Sequence, residues 1–126
     1  MGKKTIVVGI DLDNCITADA EFFRVICFLL APEYEIHIIT NRDKNSRQDT
    51  VKELEELGIQ YSQLVITGSK AQHILKEGIN IYFDDSDTYF LSLPESVLVF
   101  KVREHFNFDY KSHRWIGNKK TTKMID

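Results

Sequence analysis

The sequence predicts an α/β fold, a mostly parallel sheet of about five strands with helices on both faces. Three observations carry this. Five short β-branched runs recur along the chain, stretches with helical spacing separate them, and no Pro/Gly/Ser-rich linker, repeat or low-complexity tract breaks the alternation. At 126 residues the chain reads as one domain, 1–126, long enough to bury a core.

Each element has its own signal. Residues 5–11 (TIVVGID) are β-branched and nearly all apolar, as a buried parallel strand requires. The mostly apolar run 18–31 is long enough for a helix, and 35–40 (EIHIIT) returns to a strand. In 46–57, Val51, Leu54 and Leu57 keep helical spacing, and Gly58 is a stop signal. A third strand, 63–67, leads to a helix over 69–77 opened by Ser69 and closed by Gly78. The fourth strand is 80–84, Pro94 stops a helical turn at 87–93, and 96–102 is the fifth strand.

Composition narrows the setting. Apolar residues make up 43% and charged residues 28%, ordinary for a soluble domain. A net charge of −3 argues against strong nonspecific attraction to nucleic acid, which enters only as a substrate. Cys15 and Cys27 have neither metal-ligand nor disulfide spacing, which fits a reducing cytoplasm. The first apolar run ends at Asp11, too soon for a signal peptide or a membrane span. Ile6 stands where a myristoylation motif needs Ser or Thr. The expectation is a cytoplasmic protein with no membrane partner.

In parallel sheets ligands bind beyond the carboxyl ends of the strands. Asp11 ends the first strand, Thr40 and Asn41 the second, and Asp84 and Asp85 the fourth, while Lys70 opens the helix after the third. With Asp13 and Asp87, up to five acids share one rim. Two unit charges about 6 Å apart repel by roughly 3 kcal/mol at an effective dielectric near 20, so the cluster calls for a cation. Mg²⁺ suits oxygen ligands of this kind and accepts a substrate phosphate among them. Metal, the Lys70 ammonium, the Thr40 hydroxyl and the Asn41 amide together make an oxyanion clamp of the kind phosphoryl transfer needs. An Asp carboxylate can attack phosphorus, and a second one nearby can carry the proton.

The motifs IVVGIDLDNCI, IITN, a helix-opening Lys70 and YFDDSD, in that order, resemble those of haloacid dehalogenase-like phosphatases over about residues 5–88. The resemblance implies a three-layer Rossmann-like sheet of order 5-4-1-2-3 and an Mg²⁺-dependent phosphomonoester hydrolase. Asp11 is then the nucleophile, forming an aspartyl-phosphate, and Asp13 the general acid/base. Thr40, Asn41 and Lys70 bind and polarise the phosphoryl group. Asp11 and Asp84 hold the metal, Asp85 ligates or supports it, and Asp13 contributes its backbone carbonyl. The family usually has Gly where Asn14 stands and Thr or Val where Cys15 stands, which predicts reduced or retuned activity rather than none. Its cap insertions are missing, since each gap between early strands holds one helix. An open site of this kind favours a macromolecular phosphate, or a small substrate closed off in a homodimer; nucleotides and sugar phosphates both fit.

Two other functions compete. One is a catalytically idle phosphate- or metal-binding module on the same fold. The other is a response-regulator receiver, disfavoured because its tandem acids follow the first strand and its Lys the fifth. Taken singly, each rim residue reads as an ordinary cap, turn or surface residue; their joint placement carries the functional reading. His37 lies inside a strand and His73 on a helix, and by spacing the four histidines form no ligand set. Cys15, beside acids that raise its pKa, reads as a turn-packing residue rather than a nucleophile. Arg42, Lys44 and Arg47 are candidates for a second phosphate. The aromatic and basic segment 103–120 has the composition to stack on and track a single strand, but reads first as cover for a sheet edge or helix face.

Overall fold

A computed structural model of the chain describes residues 6–103 and 108–115. Five parallel strands form the sheet: β1 (Ile6–Asp11), β2 (Tyr34–Thr40), β3 (Gln63–Ile66), β4 (Ile81–Asp84) and β5 (Leu98–Lys101). Their order is β3-β2-β1-β4-β5, the expected 5-4-1-2-3 read from the other edge. The expected strand start at residue 5 lies outside the described residues.

Helices α1 (Ala20–Leu30), α2 (Arg47–Leu57), α3 (Lys70–Glu77) and α4 (Asp87–Phe90) connect the strands. The single long helix expected at 18–31 starts instead with a 3-10 turn, Ile16–Ala18, before Asp19 caps α1 by accepting from the Phe22 N–H at 3.1 Å. Gly58 and Gly78 end α2 and α3 at φ of 74° and 63°, the left-handed geometry glycine adopts without strain. Ser69 precedes α3 but makes no side-chain cap; its own N–H donates to Thr67 Oγ1 at 2.9 Å.

Strand alternation divides the core. Val8, Ile10, Ile36, Ile38 and Leu64 face α1 and α2 and pack with Phe23, Cys27 and Leu54. Val7, Ile39 and Tyr82 face the other way, toward Ile74 of α3. Side chains alternate with a period of two, so Asp11 shares the face of Val7 and Asp84 that of Tyr82. Both carboxylates therefore turn toward α3. Among the described residues each early gap holds one connecting helix and no cap. The tail adds an antiparallel pair that the sequence reading missed, β6 (Phe108–Asp109) with β7 (Arg114–Trp115). Residues 104–107 and 116–120 of the segment expected to cover an edge lie outside the described residues. No described helix is long and apolar enough to cross a membrane.

Candidate functional site

An open cleft of about 330 Å³ lies at the carboxyl ends of the strands. Asp11, Thr40, Asn41, Lys70, Asp85 and Tyr89 are among the residues that line it. Asp11, Asp84, Asp85, Thr40 and Lys70 are all buried, so the charges act in a low-dielectric setting.

The rim acids find separate counter-charges. Lys70 Nζ donates to Asp11 Oδ1 at 2.7 Å and to Asp84 Oδ2 at 3.2 Å. It also lies 4.2 Å from the centroid of the Tyr89 ring, a cation–π contact. Asp13 receives both arms of Arg42, Nη2 on Oδ1 at 2.7 Å and Nε on Oδ2 at 3.0 Å. Arg42 is in turn braced by Glu53 at 2.7 Å and Thr50 at 3.2 Å through Nη1. Asp87 pairs with Lys101 at 2.5 Å and Arg103 at 3.5 Å. Among the described residues Asp85 has no basic partner of its own, and its buried Oδ2 has no hydrogen-bond partner.

Asp84 accepts three hydrogen bonds. Its Oδ2 accepts from Lys70 and from the Tyr82 hydroxyl, and its Oδ1 accepts the Ser86 N–H at 2.9 Å. It holds Lys70 in place, while Asp85 carries the uncommitted oxygen. Asp11, Asp84 and Asp85 each offer an oxygen within 4.8 Å of the others, and such a triad could hold a metal ion. A hard divalent cation fits both the donor chemistry and the orphaned Asp85 oxygen.

The electrostatics agree with a site short of positive charge. Burial, then a hydrogen bond that the protonated Asp85 carboxyl donates to Asp11, and the Asp11 charge, push the Asp85 carboxyl up to about 9. Burial and the Asp84 charge raise Asp11 to about 6, against the pull of Lys70. Burial works against the Lys70 ammonium, but Asp11 and Asp84 outweigh it and its pKa rises. Cys15 is pushed well up by burial and then by the three carboxylates, so its thiol is no nucleophile.

No protein-family model matches this chain, and no curated protein does. One solved chain, from the structure titled "Structure of the Pnkp1/Rnl/Hen1 RNA repair complex", superposes with a TM-score of 0.63 at 14% identity over 81% of this chain. This chain spans 44% of that one's length. At that identity the likeness shows a shared fold.

The structure brings Asp11, Asp13, Thr40, Asn41, Lys70 and Asp85 together around the cleft, with Asp84 behind Lys70. The Asp13 carboxylate lies on Arg42, outside the acidic triad. Asn14 holds a φ of 60°, so the turn that glycine would make is made by asparagine, and its N–H donates to Thr17 Oγ1 at 2.9 Å. Of the three candidates for a second phosphate, Lys44 lies in a 3-10 turn, Lys44–Ser46, and the other two are engaged within the fold. Arg42 is engaged by two carboxylates, and Arg47 donates to the Leu64 carbonyl at 2.9 Å. Sequence reasoning missed Tyr82 and Tyr89. The i, i+2 spacing of Tyr82 and Asp84 on one strand was the available signal for the first.

Proposed function

We propose that this chain is an Mg²⁺-dependent phosphomonoester hydrolase of the haloacid dehalogenase-like type. The observation that carries the reading is Asp11 held 2.7 Å from a buried lysine at the wall of an open cleft, beside a second buried carboxyl with an oxygen to spare. Asp11, Asp84 and Asp85 are the side chains that would hold the metal, with the Asp13 backbone carbonyl by resemblance. When bound, Mg²⁺ would supply charge neutralisation for the carboxylates and the phosphoryl oxygens.

The chain's own residues account for the rest. An Asp11 carboxylate oxygen attacks phosphorus and the ester P–O bond breaks, leaving an aspartyl-phosphate. The departing alkoxide takes a proton from Asp13. Water then attacks the aspartyl-phosphate, gives its proton to Asp13, and phosphate leaves with Asp11 restored. Lys70 keeps its charge throughout and stabilises the negative charge on the transferring group. The Thr40 hydroxyl and Asn41 orient the phosphoryl oxygens. The Arg42 fork, braced by Glu53, fixes where Asp13 stands.

The site lacks a cap among the described residues, which suits a macromolecular phosphate, or a small one such as a nucleotide or sugar phosphate enclosed by a second copy. Hydrolysis of an aryl phosphate that requires Mg²⁺ and is lost in Asp11→Asn is the expected result. Turnover undiminished by Asp11→Asn would overturn the assignment. A second reading, an idle phosphate- or metal-binding module, is favoured by one observation: both Asp13 oxygens are committed to Arg42. Calorimetric binding of Mg²⁺ or phosphate without turnover over a broad phosphate panel would select it.

A further inference from the structure

Away from the cleft, three titratable side chains form a chain of hydrogen bonds. His37 Nε2 lies 2.7 Å from Glu35 Oε2, and His37 Nδ1 lies 3.1 Å from His73 Nε2. Glu35 and His37 share one face of β2, and His73 comes from α3, one turn beyond Lys70. The two rings have centroids 5.3 Å apart, near the greatest separation a 3.1 Å contact between ring nitrogens allows. The facing nitrogens therefore meet end-on, which suits a shared proton and not two ligands of one metal.

The chemistry of the chain fixes its proton pattern. Glu35 as a carboxylate only accepts, so His37 donates through Nε2. In neutral His37 the Nδ1 lone pair then accepts from His73 Nε2–H. One added proton is accommodated, because an imidazolium at His37 donates both ways, to Glu35 and to His73. A second leaves two N–H donors facing each other with no acceptor between them. His37 is fully buried, whereas His73 borders an open cleft of about 450 Å³ lined also by Thr67, Ser69 and Lys76, so protons reach the pair through His73.

We propose that Glu35, His37 and His73 form a proton-responsive strap that holds α3, and with it Lys70, against the sheet. Below the pH at which the pair is asked to take its second proton, the strap opens and the first turn of α3 loosens. His73 is a positioning residue that acts through Lys70. The consequence for phosphate binding rests on the role given to Lys70 above; the strap itself does not. Burial and then the neighbouring His37 charge hold the His73 imidazole below its usual range, consistent with resistance to that proton. The charged groups acting on His73 are His37 from β2 and, on its own helix, Glu77 and Lys76; Glu35 acts through His37, and β3 presents uncharged Val65.

The test uses the full chain without metal. A folded state that resists a proton the unfolded state accepts loses stability as pH falls through the ordinary histidine range. Urea unfolding of the wild type from pH 7 to pH 5 should show its unfolding constant rising about tenfold more than that of His73→Gln. Glutamine can donate to or accept from His37 but does not titrate, so the variant keeps the strap. Imidazole NMR should show the pair taking up one proton with the His37–His73 bond intact. The Ser69 and Lys70 amide resonances should follow the second uptake in the wild type and not in His73→Gln, which separates it from titration of the nearby carboxylates. Equal pH slopes in the two proteins, or two histidines that each titrate fully while those amides stay unmoved, would overturn the strap. Absence of turnover in every variant would remove the phosphatase reading alone, since these readouts need no substrate.

Discussion

Asp85→Asn should stabilise the metal-free protein while abolishing its response to metal. Asp85 is buried, its Oδ2 has no partner among the described residues, and it stands in a triad whose oxygens lie within 4.8 Å of one another. At that separation each ionised pair repels by about 3 kcal/mol at an effective dielectric near 20, and an ionised Asp85 faces two partners. Below about pH 9 the protein avoids this by leaving the proton on Asp85, whose pKa burial and Asp11 raise to about 9. The folded state then binds a proton that the unfolded chain has released above about pH 4, so stability falls as pH rises between those values. Asparagine removes both the repulsion and the slope. Relaxation and water entry reduce such figures severalfold, leaving an expected gain of about 1–3 kcal/mol at pH 8. The assay is urea unfolding followed by far-ultraviolet circular dichroism, with chelator and then with Mg²⁺. Mg²⁺ at a hundred times its dissociation constant stabilises the wild type by about 2.7 kcal/mol, so the order of the two proteins reverses or closes. A variant no more stable than the wild type in chelator at pH 8, or one that gains as much from Mg²⁺, would refute the reasoning.

Three further substitutions probe the counter-charges. Lys70→Met leaves Asp11 and Asp84 buried without their shared cation and should cost about 3–5 kcal/mol in metal-free buffer, read by the same unfolding assay. Arg42→Ala releases Asp13 from its fork and should lower kcat for an aryl phosphate by tenfold or more, with Arg42→Lys a poor rescue because an ammonium cannot bind both oxygens in parallel. Asn14→Ala should lose about 1 kcal/mol, because alanine pays more for a φ of 60°, while Asn14→Gly should lie within about 0.5 kcal/mol of the wild type in thermal unfolding.

The parts of this site that were legible in the sequence are those fixed by strand periodicity. Once β1 and β4 are placed beside each other, parity alone sends Asp11 and Asp84 toward the helix that Lys70 opens, and the pairing at 2.7 and 3.2 Å follows from topology. The same parity argument reaches Tyr82, which points to the Asp84 side of β4 and could have been read from the spacing. Loops carry no such period. Asp13 and Arg42 are 29 residues apart, and no spacing rule predicts their meeting. Asp13 lies two residues past the end of β1 in chain order yet turns away from Asp11, because its loop brings it to a guanidinium already braced by α2. An acid pair that looks like one electrostatic problem in the sequence is thus two separate ones in the fold. Asp11 is neutralised by a buried lysine within the sheet–helix layer, and Asp13 by an arginine at the cleft mouth. That separation matters for the proposed chemistry. In the proposed mechanism Arg42 would neutralise Asp13 without drawing on the charge of Lys70, which Asp11 and Asp84 share.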